Sequence, residues 1–334
     1  MSGDRSPPWG HTSFPDAAAR GSSRLHYFLL PRHLRPVYLQ IESAVSGGIM
    51  SIPVTGVRDK KEFTTVARSV FLDNPSLCQY TLDRGFSVDA MSNTYVLRIT
   101  RKVERRLFAK YMDGIETQVR WYKEHTRGMN DYEKELFVHD KIARETVYDP
   151  KNDFRSIMLG PLIRNRGACL GISAAVMYIL NRLGVDTATI AGTLPGQEIG
   201  HAWNLVNIDG NNYHLDVTFD SLGEGRVVHS YFNADDTMMV DAKHIWNENV
   251  ACDSTRYSYY TVNNSTVNDE DDIRRLIEGG IRTNANVEMK MSRSLSRRMD
   301  HEGLLRTVSM VVGRRRDVLF NYRPTNNTYC FMIS

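Results

Sequence analysis

The chain has 334 residues, with 42 lysines and arginines against 39 aspartates and glutamates, a formal net charge of +3. Hydrophobic residues at 41 % and aromatics at 10 % can build one large core or two modest ones, which excludes wholesale disorder. So small a positive excess excludes the broad field of a dedicated nucleic-acid binder, and no apolar run reaches the roughly 18 residues of a membrane-spanning helix.

Residues 1–24 carry prolines, glycines and serines without a compact apolar segment, so they read as a flexible arm rather than a secretory signal. Structure is expected from Leu25, with a helix over Leu34 to Val45, a break at Gly47-Gly48 and a short extended piece over Ile49 to Val54. Phe63, Val66, Ala67, Val70 and Phe71 recur at helical spacing across Lys60 to Leu72. Asn74-Pro75 stops that helix, and Gln79 to Asp83 and Thr94 to Thr100 read as strands, completing a small α/β unit over 25–100.

Residues 101–262 read as a helical lead-in followed by a catalytic core. A polar helix is expected from about Arg101 to Glu124 and a second over Asp131 to Thr146, able to pack as a hairpin. Pro150 and Asn152-Asp153 mark a loop. The tail, 263–334, reads as a second small α/β unit: a polar linker or helix start over Asn263 to Asp272, a strand over Val287 to Met291, a helix over Ser296 to Val312, and a hairpin of Val318 to Tyr322 with Thr328 to Ile333. Helix followed by two strands echoes Lys60 to Thr100.

The four cysteines, Cys78, Cys169, Cys252 and Cys330, form neither a C-x-x-C pair nor a dense framework. That composition speaks against a zinc ribbon or finger and suits a reducing, cytoplasmic setting. Cys169 opens an apolar helix that ends before Gly184, so it lies in the first turn, where free N–H groups and the helix dipole favour a thiolate and can receive an oxyanion. Gly167 and Gly171 on either side would let a substrate approach. A buried, inert thiol is the plainer reading of such a cysteine.

Two strands downstream change that balance. His201 to Ile208 and Tyr213 to Phe219 flank Asp209-Gly210, a strong hairpin signal. With a two-residue loop, Ile208 faces Asn211, Trp203 faces Asp216 and His201 faces Thr218. Alternation then sets His201 and Trp203 on one face with His214 and Asp216. Cys169 as nucleophile, His201 as proton carrier and Asp216 as its orienting carboxylate make an activated-thiol triad. Trp203 and His214 are candidate lining residues. No metal or other cofactor is expected: His201 and His214 do not fit a close ligand pair, and no G-x-x-x-x-G-K-[ST] loop occurs. His139-Asp140 reads as a structural or capping pair, and Asp220 as a brace at its strand end.

These blocks resemble the transglutaminase-like fold of the broad papain-like cysteine enzyme group, in its bacterial form. The similar segments are Gly167-Ala168-Cys169-Leu170-Gly171, His201-Ala202-Trp203-Asn204 and Tyr213 to Asp220, with Val138 to Ile142 and Val147 to Asp149 upstream and Tyr231-Phe232-Asn233 downstream. Together they span Glu133 to Trp246. One departure is Gly171-Ile172-Ser173-Ala174, where bacterial relatives often continue Gly-Tyr-Ala. The resemblance implies an α+β fold, with a nucleophile helix on an antiparallel sheet, and acyl transfer from an amide of a peptide or protein. Hydrolysis would make the chain a peptidase or deamidase, and amine transfer a transglutaminase. Two alternatives stand beside it: a noncatalytic peptide- or protein-binding module on the same fold, and a structural or assembly protein. Basic groups at Arg101-Lys102, Arg105-Arg106, Arg293, Arg297-Arg298 and Arg314 to Arg316 read as solvated faces, so nucleic acid is not an expected partner.

Overall fold

The computed structural model describes residues 24–82, 87–89, 94–196, 200–313, 318–323 and 326–333. The expected arm and the Arg314 to Arg316 cluster therefore lie outside the described residues, apart from Arg24.

The N-terminal unit contains helices α1 (Leu25–Leu29) and α2 (Arg35–Ser46), strand β1 (Ser51–Val54), helix α3 (Lys60–Asp73), and strands β2 (Tyr80–Leu82), β3 (Ser87–Asp89) and β4 (Thr94–Arg101). The Asp59 carboxylate accepts the Glu62 N–H and so fixes where α3 begins. Apolar stripes of α2 and α3 then close over Ile52, Val54, Leu97 and Ile99. The sheet runs β1-β4-β2, all antiparallel, and β3 also pairs with β4.

Two helices follow, α4 (Arg105–His125) and α5 (Asp131–Glu145). A capping box between Asn130 and Glu133 starts the second, and Trp121 stacks on Phe137 across the turn. Next come β5 (Val147–Tyr148), α6 (Leu159–Arg164), β6 (Arg166–Gly167), α7 (Cys169–Arg182), β7 (Thr187–Gly192), β8 (His201–Ile208), β9 (Asn211–Leu215) and α8 (Val217–Asp220). Strands β7-β8-β9 form an antiparallel meander. One face packs Val206, Tyr213 and Leu215 against Ile172, Val176 and Ile179 of α7. The other packs Ile190, Trp203 and Leu205 against Tyr231, Met238 and Met239. A small hairpin, β10 (Ser221–Gly223) with β11 (Arg226–Val227), and helices α9 (Asp236–Asp241) and α10 (Tyr259–Val262) complete this part.

The C-terminal unit holds β12 (Thr266–Val267), α11 (Glu270–Thr283), β13 (Val287–Met291), α12 (Arg293–Ser296), α13 (His301–Val312), β14 (Val318–Arg323) and β15 (Thr328–Ile333). Its sheet order is β12-β13-β15-β14, with only the β12–β13 pair parallel. The two terminal units share one feature: the strand that precedes the last helix of each, β1 or β13, pairs antiparallel with the final strand, β4 or β15. The architecture is α+β, with helices packed on open sheets. Among the described residues no helix is long and apolar enough to cross a membrane.

Three sequence expectations need correction. The strand expected over Tyr213 to Phe219 stops at Leu215, because Asp216 accepts the Phe219 N–H and caps α8. Thr218 is therefore helical and does not face His201, whose ladder partner is Gly192. The helix expected from Ser296 to Val312 is two helices, since Asp300 accepts the Gly303 N–H and starts α13 afresh. The polar segment from Asn263, expected as a linker or helix start, first holds the strand β12, and the helix start falls at Asp269, the N-cap of α11.

Candidate active site

Cys169 is the first residue of α7, and the preceding Ala168 has no side chain able to cap the helix. The first-turn N–H groups are left for a ligand, with the helix dipole behind them. Parallel pairing of β5 with β6 and the Asp149 N–H donated to the Gly167 carbonyl hold the approach to this turn. Cys169 is partly exposed, whereas Cys78, Cys252 and Cys330 are buried, and all four are free thiols. Burial pushes the Cys78 and Cys330 thiols up to about 12 and raises Cys252 well above the ordinary range.

The two glycines beside Cys169 serve the chain's own packing. A Cβ on Gly171 would sit 2.3 Å from the Arg155 carbonyl oxygen, and one on Gly167 would meet the Pro161 ring at 2.9 Å. Their missing side chains admit the loop before α6 and the start of α6 itself.

His201 begins β8 and is buried, with its Nε2 2.6 Å from Asp216 Oδ2. Its ring stacks on Phe219 at 4.7 Å and on Trp203 at 5.6 Å. Burial opposes charge on this imidazole. The Asp216 charge and hydrogen bond, together with a hydrogen bond and negative charge from Cys169, outweigh that penalty and lift its pKa to about 10. With Nε2 on the carboxylate, Nδ1 is the nitrogen left for the thiol.

Asp216 is fully buried and accepts the Phe219 N–H at Oδ1. Desolvation works against its charge, but His201 and His244 hold it well below the usual carboxylate range. His244 escaped the sequence reading. Its Nε2 lies 3.2 Å from Asp216 Oδ2, and its buried Nδ1 has no hydrogen-bond partner. It reaches the site because Ile245 bridges to Thr193 at the end of β7. Gly192 makes that crossing feasible: a Cβ there would stand 2.1 Å from the Ile245 carbonyl oxygen.

Tyr148, half exposed, is a further neighbour that the sequence reading did not place in the site. Partial burial, followed by the charges of Cys169 and Asp216, raises its phenol pKa. Trp203 is buried and its indole N–H donates to His214 Nδ1 at 3.0 Å, while His214 Nε2 lies 2.9 Å from Asp236 Oδ1. His214 thus supports Trp203 from behind and is sealed from solvent.

Cysteine, histidine and aspartate also meet in a second grouping, His214, Asp236 and Cys252. A His-Asp-Cys cluster is the chemical set from which a cysteine-dependent catalytic site is made. In this second one the thiol is wholly buried and the imidazole is engaged at both nitrogens. Cys169, by contrast, is partly exposed. Next to Leu170 lies a cavity of about 260 Å³ between the N-terminal unit and the core, lined by Phe71, Leu72, Pro75 and Ile157 with Arg68 and Lys102.

No family model and no curated protein matches the chain. The solved structures similar to it include three at 14 % sequence identity: a TGase, with 50 % of this chain and 49 % of that chain covered and a TM-score of 0.31; a "Putative Cysteine Protease from Cytophaga hutchinsonii", with 40 % and 55 % covered and a TM-score of 0.29; and a "putative protease from Parabacteroides distasonis", with 40 % and 30 % covered and a TM-score of 0.26. The chain spans about half or less of the length of these proteins. At these values they assign no family, and the chemistry of the site rests on its own geometry.

Proposed function

We propose that the chain is a cysteine-dependent acyl-transfer enzyme acting on an amide of a peptide or protein, with Cys169 as nucleophile, His201 as proton carrier and Asp216 as its orienting carboxylate. The observation that carries this reading is the hydrogen bond from the buried Asp216 to His201, an imidazole whose pKa is raised by that carboxylate and by Cys169, the one partly exposed thiol among the four cysteines. In the first step Cys169 gives its proton to His201 and its sulfur bonds to the amide carbon, while the C=O electron pair moves to the oxygen, an oxyanion that the N–H groups of the first turn of α7 receive. His201 then gives its proton to the departing nitrogen as the C–N bond breaks, leaving a thioester. In the second step His201 takes a proton from water or from an acceptor amine, whose oxygen or nitrogen attacks the thioester carbon; the C–S bond then breaks, and the departing Cys169 sulfur regains that proton from His201. Water completes hydrolysis, and an amine completes transfer.

The apolar cavity beside Leu170, with its two cations, suits an apolar substrate side chain next to an acidic group. Tyr148, half exposed and within the field of Cys169, offers a phenolic hydroxyl for contact with the substrate. Incubating the full chain with a peptide mixture, with and without a primary amine, tests the proposal by mass spectrometry. Cleavage, deamidation or amine incorporation that disappears in Cys169→Ala supports it. Products that persist in Cys169→Ala, or the absence of all three, contradict it.

A further inference from the structure

Three groups of histidine with carboxylate or thiol converge among the described residues: His139, Asp140 and His229; His201, Asp216 and His244; and His214, Asp236 and Cys252. Their tautomers separate them. A metal needs the ring lone pair, so the other ring nitrogen must carry the proton, and metal-binding histidines usually give that proton to a carboxylate or carbonyl. His214 fails this test, because its Nδ1 accepts the Trp203 N–H and its Nε2 must then hold the proton toward Asp236. His244 has no partner at its far nitrogen, and the far nitrogen of His201 faces a thiol.

Only the first group has the required pattern twice. His139 Nδ1 and His229 Nε2 each lie 2.9 Å from Asp140 Oδ1. At their far nitrogens, His139 Nε2 lies 3.2 Å from Asp220 Oδ2 and His229 Nδ1 lies 2.8 Å from Glu288 Oε1. Both outer carboxylates are themselves fixed by backbone: Asp220 accepts the Tyr231 N–H, and Glu288 accepts the His229 N–H. Stacking of His229 on Tyr259 at 3.9 Å fixes that ring too.

We propose that His139, Asp140 and His229 form a binding site for one divalent transition ion of the zinc class, with Asp220 and Glu288 orienting the two imidazoles. Two imidazoles and one carboxylate are a donor set such ions accept, with a further position open to water. Ligand atoms around a tetrahedral zinc at ordinary bond lengths stand about 3.3 Å apart. The two 2.9 Å spacings would therefore widen by only a few tenths of an ångström. Carboxylates stand at both nitrogens of each imidazole, an acidic surrounding that suits a cation. Asp140 borders an open surface cavity of about 720 Å³, which supplies an entry path. His139 and Asp140 come from α5, His229 from the loop after β11 and Glu288 from β13, so the ion would tie the core to the C-terminal unit.

Titration of the full chain, stripped with a chelator, with Co2+ alone tests this site by visible absorption. The expected result is saturation at one equivalent, with ligand-field bands and no thiolate-to-cobalt charge-transfer band. His229→Gln and Asp140→Asn should abolish the signal, Glu288→Gln should weaken binding by about 10–100-fold, and Cys252→Ser and His244→Gln should leave it unchanged. X-ray absorption on the wild-type complex should find two imidazoles and no sulfur, which decides the matter even where a variant fails to fold. No saturable uptake by the wild-type chain, a sulfur ligand, or undiminished binding in folded His229→Gln would overturn the proposal.

Discussion

His244 places its Nε2 3.2 Å from the same Asp216 oxygen that binds His201 at 2.6 Å. One buried carboxylate oxygen therefore serves two imidazoles, and the second is a positioning group for the first. Replacing His244 with alanine leaves that carboxylate short of a donor, a loss of about 1–3 kcal/mol. Urea denaturation checks the magnitude. Thiol labelling of the folded variant should slow less than in His201→Gln, because His201 keeps its own bond to Asp216.

The raised His201 pKa links the site to stability. An imidazole that titrates near 6.5 when unfolded and at about 10 when folded stabilises the folded state below 6.5 and loses that contribution as pH rises toward 10. The stability gap between wild type and His201→Gln should be largest near pH 6 and shrink steadily up to pH 10. Chemical denaturation across this range reads it directly. A gap that widens with pH would reverse the sign assigned to this group.

Gly171→Ala sets two effects against each other. Alanine gains about 1 kcal/mol of helix propensity over glycine. Its methyl carbon would sit 2.3 Å from the Arg155 carbonyl oxygen and 3.0 Å from that of Ile157, both backbone atoms that cannot swing away. Overpacking of this kind costs about 1–3 kcal/mol or more. Sterics win, so the midpoint of urea unfolding should fall.

Glu135 is fully buried with Oε1 unpartnered, and burial pushes its carboxyl up to about 8. A carboxyl that titrates higher when folded than when unfolded costs stability as pH rises from about 4.5 to 8. Glu135→Gln keeps the shape and removes the charge. The variant should gain thermal stability over wild type above pH 8 and lose that advantage near pH 4, as followed by melting curves.

Much of this arrangement is legible in the residues themselves. Cys169 stands at the head of an apolar helix, and Asp209-Gly210 marks the hairpin that pairs Ile208 with Asn211, as the register shows. Asp216 could be picked out beside His201, yet for an incomplete reason. Strand alternation suggested it, whereas its place is set by capping α8. His244 gave no local signal, since it follows α9 in an irregular segment and depends on a bridge across Gly192. Glu270, Asp271 and Asp272 left a linker and a helix start both open, and the start of α11 follows because acidic residues favour a helix N-terminus through its dipole. His139-Asp140 reads as a local pair in sequence. Only the fold brings Asp220, His229 and Glu288 around it.

The central claim is that His201 activates Cys169, and site-resolved labelling of the four thiols by iodoacetamide tests it most directly. Mass spectrometry of wild type and His201→Gln at neutral pH should show alkylation concentrated at Cys169 in the wild type and sharply slowed in the variant, with Cys78, Cys252 and Cys330 protected in both. Equal labelling of all four, or a Cys169 rate indifferent to His201, would contradict it.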